Sequence, residues 1–246
     1  MIVTAFGSDT GRIREVNQDM CEIRCFKSGE VLALVCDGMG GERGGNIASE
    51  TACYSISKYI EEKLDKKRAG SVCDMLTNAL KKANAAVREK AAANTDLKGM
   101  GTTAVGVMVR DDSEHLHIVN VGDSRVYQVR GEGIRQLTHD HSVVQMMVDN
   151  GEITEEEART HPKKHYITRA VGVMDKLDVD YIAADFEKGD KLLLCSDGFS
   201  NYFDINEIYQ LMQGEEFEKL PQKLIDAANS RGGSDNITVA VITKKD

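Results

Sequence analysis

Four aspartates fall at the ends of separate apolar runs. Asp37 follows VLALVC (31–36), Asp123 follows HLHIVNV (115–121) across a glycine, Asp197 follows KLLLCS (191–196), and Asp235 precedes NITVAVIT (236–243). Any one of them reads as an ordinary turn former. As a set they suggest more, because loops at the ends of a rigid sheet are where sites form. If the four ends met at one edge, the carboxylates would repel one another strongly unless cations intervened. Hard divalent ions with all-oxygen ligands, Mg2+ or Mn2+, suit such a cluster. Gly38, Gly40 and Gly41 would let the backbone approach a bound ion closely.

The elements that must position these residues are legible as further β-rich runs: TTAVGVMV (102–109), RVYQV (125–129) and VDYIAADF (179–186). Several are separated by Asp-Gly, Gly-Asp or Asp-Asp turns of the kind found in antiparallel hairpins. Helical periodicity marks 43–65 and 71–94, with two shorter stretches at 205–213 and 217–230. Strands grouped apart from helices predict an α+β fold, a β-sandwich covered by helices. The stretch 139–170 is polar, holds four of the six histidines, breaks at His161-Pro162 and contains the capping box Thr154/Glu157. It is too short to own a core and reads as an excursion from one domain spanning 1–246.

Composition narrows the function. The chain has 246 residues, 41% hydrophobic and 29% charged, with 31 Lys+Arg against 40 Asp+Glu for a net charge of -9. That balance argues against nucleic acid and anionic membranes as partners. No apolar run approaches the ~20 residues of a membrane span, and no leader pattern opens the chain. Cys21, Cys25, Cys36, Cys53, Cys73 and Cys195 form neither a CxxC pair nor a zinc pattern, and no Cys-x5-Arg loop is present. Structural thiols in a reducing cytoplasm are expected.

The segment G11-RIREVNQD-19, DGMGG (37–41), MGTT (100–103), GDSR (122–125), SDG (196–198) and SDN (234–236) occur in the order of the metal-dependent protein phosphatases of the 2C type, and LTHDHS (137–142) and ITRAVG (167–172) resemble the bacterial branch. The resemblance covers essentially the whole chain. It implies a four-layer αββα sandwich, two antiparallel sheets flanked by helix pairs, with a small helical flap insert at about 139–170. It also implies two Mn2+ or Mg2+ ions and a third, weaker one. Asp37 would bridge two ions with the Gly38 carbonyl as a further ligand, Asp197 and Asp235 would complete the other ion's shell, and Asp123 would hold the third with Asp197. Asp19, Gln18 and Asn236 would stand just outside the ligands, Asp19 holding metal-bound water, and Arg14 would grip the substrate phosphate. The chemistry implied is serine/threonine phosphoprotein hydrolysis by direct attack of a hydroxide shared by two ions, opposing a bacterial serine/threonine kinase, by a monomer. The alternatives are a same-fold phosphatase acting on an anti-sigma antagonist, or a weakly active phosphoprotein-binding pseudophosphatase.

Two positions depart from animal relatives. Gln18 replaces Glu and Met39 replaces His. Met cannot donate a proton, which leaves the departing alkoxide to a metal-bound water or to His161. As a histidine in a polar break, His161 reads first as a cap or surface residue, as do His139, His141 and His165. Arg12 and Arg169 read as surface charge, Met146 and Met147 as packing residues, and the Lys66–Arg68 run as a basic helix end.

Overall fold

A computed structural model describes residues 1–65 and 70–245; the Lys66–Arg68 run lies outside the described residues. Two antiparallel sheets make the centre. One has five strands in the order β1 (Ile2–Asp9), β11 (Ile237–Lys244), β10 (Lys191–Cys195), β7 (Arg125–Arg130) and β8 (Gly133–Gln136). The other runs β2 (Asp19–Cys25), β3 (Glu30–Met39), β5 (Ala104–Arg110), β6 (His115–Val121) and β9 (Asp180–Asp185), with β4 (Gly101–Thr102) paired to the end of β3.

The alternation of β3 shows why this becomes four layers. Val31, Ala33 and Val35 point into the apolar layer between the sheets, with Leu192, Leu194 and Ile242 among their neighbours from the facing sheet. Leu32, Leu34 and Cys36, one residue out of phase, point the other way into a second apolar layer. There they meet α1 (Gly41–Asp65) and α2 (Val72–Ala93), which supply Ala52, Ile56, Leu76 and Leu80. A strand buried on both faces reads as a continuous apolar run, as VLALVC does. The opposite outer layer packs α5 (Asp197–Ser200), α6 (Ile205–Leu211) and α7 (Leu220–Ser230) on β10 and β11 through Phe199, Ile208, Leu224 and Leu193. The αββα arrangement expected from the sequence is the one found.

Helix starts follow local chemistry. Ser71 caps α2 by accepting the Asp74 amide at 3.0 Å, and Asp204 with Glu207 forms a capping box on α6. The helix expected from 217 begins at Leu220, because Phe217–Lys219 form a tighter 3-10 turn and Pro221 occupies the first turn of α7. Between β8 and β9 lie two short helices, α3 (Val143–Asp149) and α4 (Glu155–Thr160); Thr154 and Glu157 cap α4 reciprocally, as the spacing predicted.

Candidate active site

Strand pairing brings the first two carboxylates together. Asp19 opens β2, and Asp37 lies opposite it in the β2–β3 register. Asp37 does not sit in a loop after VLALVC, as the sequence suggested, but inside β3, which continues through Gly38 and Met39. The continuation has its own partners: Gly38 pairs with Thr102, and Thr103 Oγ1 accepts from the Asp37 amide at 2.9 Å while the Thr103 amide donates to the Asp37 carbonyl at 2.8 Å. A Cβ on Gly38 would stand 2.2 Å from the Gly45 carbonyl oxygen and 2.5 Å from that of Gln18. The missing side chain therefore makes room for the start of α1 and the segment before β2.

The second sheet contributes from the same end. Asp197 is the first residue of α5, directly after β10 and Ser196, and Asp235 precedes β11 with Asn236 between. Asp123 lies in the turn that carries the chain from β6 in one sheet to β7 in the other, and is 8% exposed.

The five carboxylates lie near enough for their charges to raise the pKa values of Asp19, Asp37, Asp123 and Asp235. Burial pushes Asp37 well above the usual carboxylate range, and the charges of Asp19, Asp197, Asp123 and Asp235 push it further. Asp123 is raised by burial and then by Asp197 and Asp140, with Arg125 opposing. Asp19 is raised to about 7, chiefly by burial, against hydrogen bonds from Ser196 and Thr238. Asp235 is raised by burial and Asp197, and held back by the Asn236 amide and Arg14.

A divalent cation fits this donor set. Asp19 Oδ1 is buried with no hydrogen-bond partner, a cost that a cation-bound water would remove. Its other oxygen accepts from Ser196 Oγ at 2.7 Å, and Ser196 Oγ in turn accepts from the Thr238 amide at 3.0 Å. The carboxylates are all-oxygen ligands on separate rigid elements, the preference of Mg2+ and Mn2+. Among the described residues, no three acidic, histidine or cysteine side chains are already closed into a ligand shell; like charges hold apart.

At the rim, Arg14 Nη2 donates to Asp235 Oδ2 at 2.9 Å while its side chain stays 52% exposed, free to reach an incoming anion. Asn236 tethers the loop that carries Arg14. Its Oδ1 accepts from the Gln18 amide at 2.8 Å, and its Nδ2 donates to the carbonyls of Thr10 and Val16 at 2.9 and 3.0 Å. The Gln18 side chain donates to the Gly41 carbonyl at 2.8 Å, tying the same loop to the start of α1. Met39 is half-buried, its Cε 3.0 Å from where a Gly101 Cβ would stand, and offers no proton.

The segment between β8 and β9 reaches back to the site. His161 caps the end of α4, its Nδ1 accepting from the Lys163 amide at 3.1 Å. His165, by contrast, places Nδ1 3.8 Å from Asp197 Oδ2, and that carboxylate raises its pKa. Sequence reasoning gave His165 no role, because nothing in the letters distinguishes it from its three neighbours. Arg169, read as surface charge, is bound to Asp180 at 2.7 Å. Between this segment and α5–α6 opens a cavity of about 680 Å³ whose walls include Asp123, Asp197, Val148 and Phe203. The Arg159 guanidinium on α4 spans it to the Phe203 carbonyl.

Comparison with known proteins agrees with this geometry. The family model for Protein phosphatase 2C matches residues 7–238. The serine/threonine phosphatase stp of Listeria monocytogenes is 37% identical over 240 residues, covering 97% of this chain and 94% of that protein. The crystal structure of the Mycobacterium tuberculosis serine/threonine phosphatase PstP/Ppp has a TM-score of 0.90 at 31% identity, covering 100% of this chain and 99% of that one. A structure of the catalytic domain of PstP in complex with two manganese ions has a TM-score of 0.86 at 31% identity, with 100% and 99% covered.

Proposed function

The chain belongs to the protein phosphatase 2C family, and on that premise we propose how its own residues carry out the metal-dependent hydrolysis of phosphoserine and phosphothreonine in proteins. The observation that carries the reading is the convergence of Asp37 and Asp19 from one sheet with Asp197 and Asp235 from the other, and Asp123 between them. Asp37, Asp197, Asp235 and the Gly38 carbonyl would hold the two ions, and Asp123 with Asp197 would hold a third. Mn2+ or Mg2+ bound there supplies a water of lowered pKa for attack on phosphorus and positive charge to offset that of the phosphoryl group.

The residues around the ions do the rest. Asp19, oriented by Ser196, keeps its free oxygen available to fix that water. Arg14 exchanges its contact with Asp235 for the phosphate oxygens, to which a guanidinium fork is matched. Asn236 and Gln18 hold the Arg14 loop in place, and the α3–α4 segment forms a flap that screens the phosphoprotein rather than performing chemistry. Residues 1–246 act as one catalytic domain. The protein is proposed to act as a monomer, and the six unpaired thiols suit a reducing cytoplasm. A serine/threonine kinase must supply the substrate, since the reaction consumes phosphoprotein.

Phosphate release from a phosphothreonine peptide with and without Mn2+ tests the reading. Metal-stimulated turnover that Asp37→Asn abolishes is the expected result, and release indifferent to chelator would overturn it.

A further inference from the structure

His141 lies 4% exposed where the flap leaves and rejoins the sandwich. Its main chain joins three segments. The His141 amide donates to the Gly122 carbonyl at 3.0 Å, and its carbonyl accepts from the Thr168 amide at 2.7 Å. Its ring joins the same places again. Nδ1 accepts from the Gly122 amide at 3.1 Å, and Nε2 lies 3.1 Å from both Asp180 Oδ2 on β9 and Arg169 Nη1. Arg169, at the returning end of the flap, donates to Asp180 Oδ1 at 2.7 Å.

These bonds settle the ring's proton. A backbone amide can only donate, so Nδ1 carries a lone pair and the neutral ring's one hydrogen sits on Nε2; the neighbouring Arg169 guanidinium is itself a donor, so Asp180 is the acceptor for both. Gly122 precedes Asp123, and it is held from the other side as well. Its φ is +112°, and a Cβ there would stand 2.6 Å from Thr103 Cβ. Thr103 is the residue whose hydroxyl accepts from the Asp37 amide. The Gly122–Asp123 turn is thus pinched between the His141 ring and the residue that fixes Asp37.

We infer that His141 is a positioning residue whose Nδ1 sets the Asp123 carboxylate through the Gly122 amide while its Nε2 ties both ends of the flap to that setting. The ring is buried and reaches Asp123 through Gly122. The consequence for ion binding rests on the phosphatase reading above; the hydrogen bonds themselves do not.

Two amide substitutions separate the two nitrogens. In His141→Asn, the side-chain oxygen occupies the place of Nδ1 and can still accept from Gly122, but nothing reaches Asp180. In His141→Gln, the amide occupies the place of Nε2 and reaches Asp180, but Gly122 loses its acceptor. In metal-free wild-type protein, nitrogen NMR should show the Nε2–H tautomer. Exchange of the Gly122 amide should speed at least tenfold in His141→Gln and stay near wild type in His141→Asn. In Mn2+ titration calorimetry, the step abolished by Asp123→Asn should weaken about tenfold in His141→Gln, within the range for orienting groups behind a metal ligand, and be retained in His141→Asn. The Asn variant should instead raise KM for a phosphothreonine peptide while leaving p-nitrophenyl phosphate hydrolysis near wild type.

Equal loss in both variants, tracking their thermal midpoints, would reduce His141 to a packing residue and overturn the inference, as would an Nδ1–H tautomer. Should either variant fail to fold, Asp180→Asn at the half-exposed partner serves instead: Gly122 protection retained with peptide KM raised supports the coupling, and any other pattern overturns it. If wild-type protein neither binds Mn2+ nor releases phosphate, the phosphatase reading fails, while tautomer and amide exchange still judge this one.

Discussion

Arg14 and Asp235 are joined at 2.9 Å although 221 positions separate them in the chain. The guanidinium proposed to grip phosphate therefore rests on a carboxylate proposed to bind metal. If Asp235 holds a cation as proposed, its pair with Arg14 would weaken and Arg14 would be free for the phosphate. Arg14→Ala should lower kcat/KM for a phosphopeptide about 10- to 100-fold, the scale of a charge-assisted hydrogen bond of ~1.5–3 kcal/mol. Arg14→Lys should recover only part, having charge without the fork. Steady-state kinetics at saturating Mn2+ decide it.

Asp37→Asn should abolish turnover and Mn2+ binding yet raise the thermal midpoint of metal-free protein. The native side chain is half-buried and faces the charges of four other carboxylates, so neutralising it relieves repulsion. A midpoint that falls would contradict this account of the cluster.

Stability of the metal-free protein should decline as pH rises from about 4 to about 7. Asp19, Asp37, Asp123 and Asp235 are all raised above their unfolded values, Asp19 from 3.8 to about 7. The folded state binds more protons than the unfolded chain in that window, so their contribution is fully present below about pH 4 and is lost as pH rises through the folded values, about 7 for Asp19. Glu207, lowered to about 2 beside Arg231, works oppositely, and only at more acid pH. Saturating Mn2+ should reverse the slope, because ions bind the deprotonated ligands. Thermal midpoints across pH 4–8 in chelator and in Mn2+ would show both trends.

Asn236→Ala removes the acceptor for the Gln18 amide and the donors to Thr10 and Val16 at once. A loss of about 2–4 kcal/mol is expected for such a buried network, with a raised phosphopeptide KM as the Arg14 loop loosens. Urea unfolding and kinetics together test it; unchanged KM would separate the tether from the phosphate grip.

Arg159→Ala should cut the strap from α4 to the Phe203 carbonyl. Peptide KM should rise several-fold while hydrolysis of a small aryl phosphate holds. Parallel losses on both substrates would place the flap in the chemistry instead.

Much of this was legible in the sequence, for physical reasons. The apolar, β-rich runs VLALVC and NITVAVIT announced strands, and six motifs in order announced the acids. The end of β3 was not legible: Asp-Gly is a turn signal, and it is the pairing of Asp37 with Asp19 on β2, together with Thr103 and β4 distant in the chain, that keeps the strand going. Asn236 could be placed near the site but not recognised as a tether, because its three partners lie far away in sequence. His165 had no signal at all; its approach to Asp197 depends on how the flap folds back.

The carboxylates come from both sheets, so the apolar layer between those sheets, with Val35 and Leu194 in it, does more than exclude water. It sets the spacing across which ligands from the two halves must cooperate. A change of side-chain volume in that dry interior, remote from any reacting atom, would alter the gauge of the site. Altered ion preference in such variants is thus expected without any ligand having been touched.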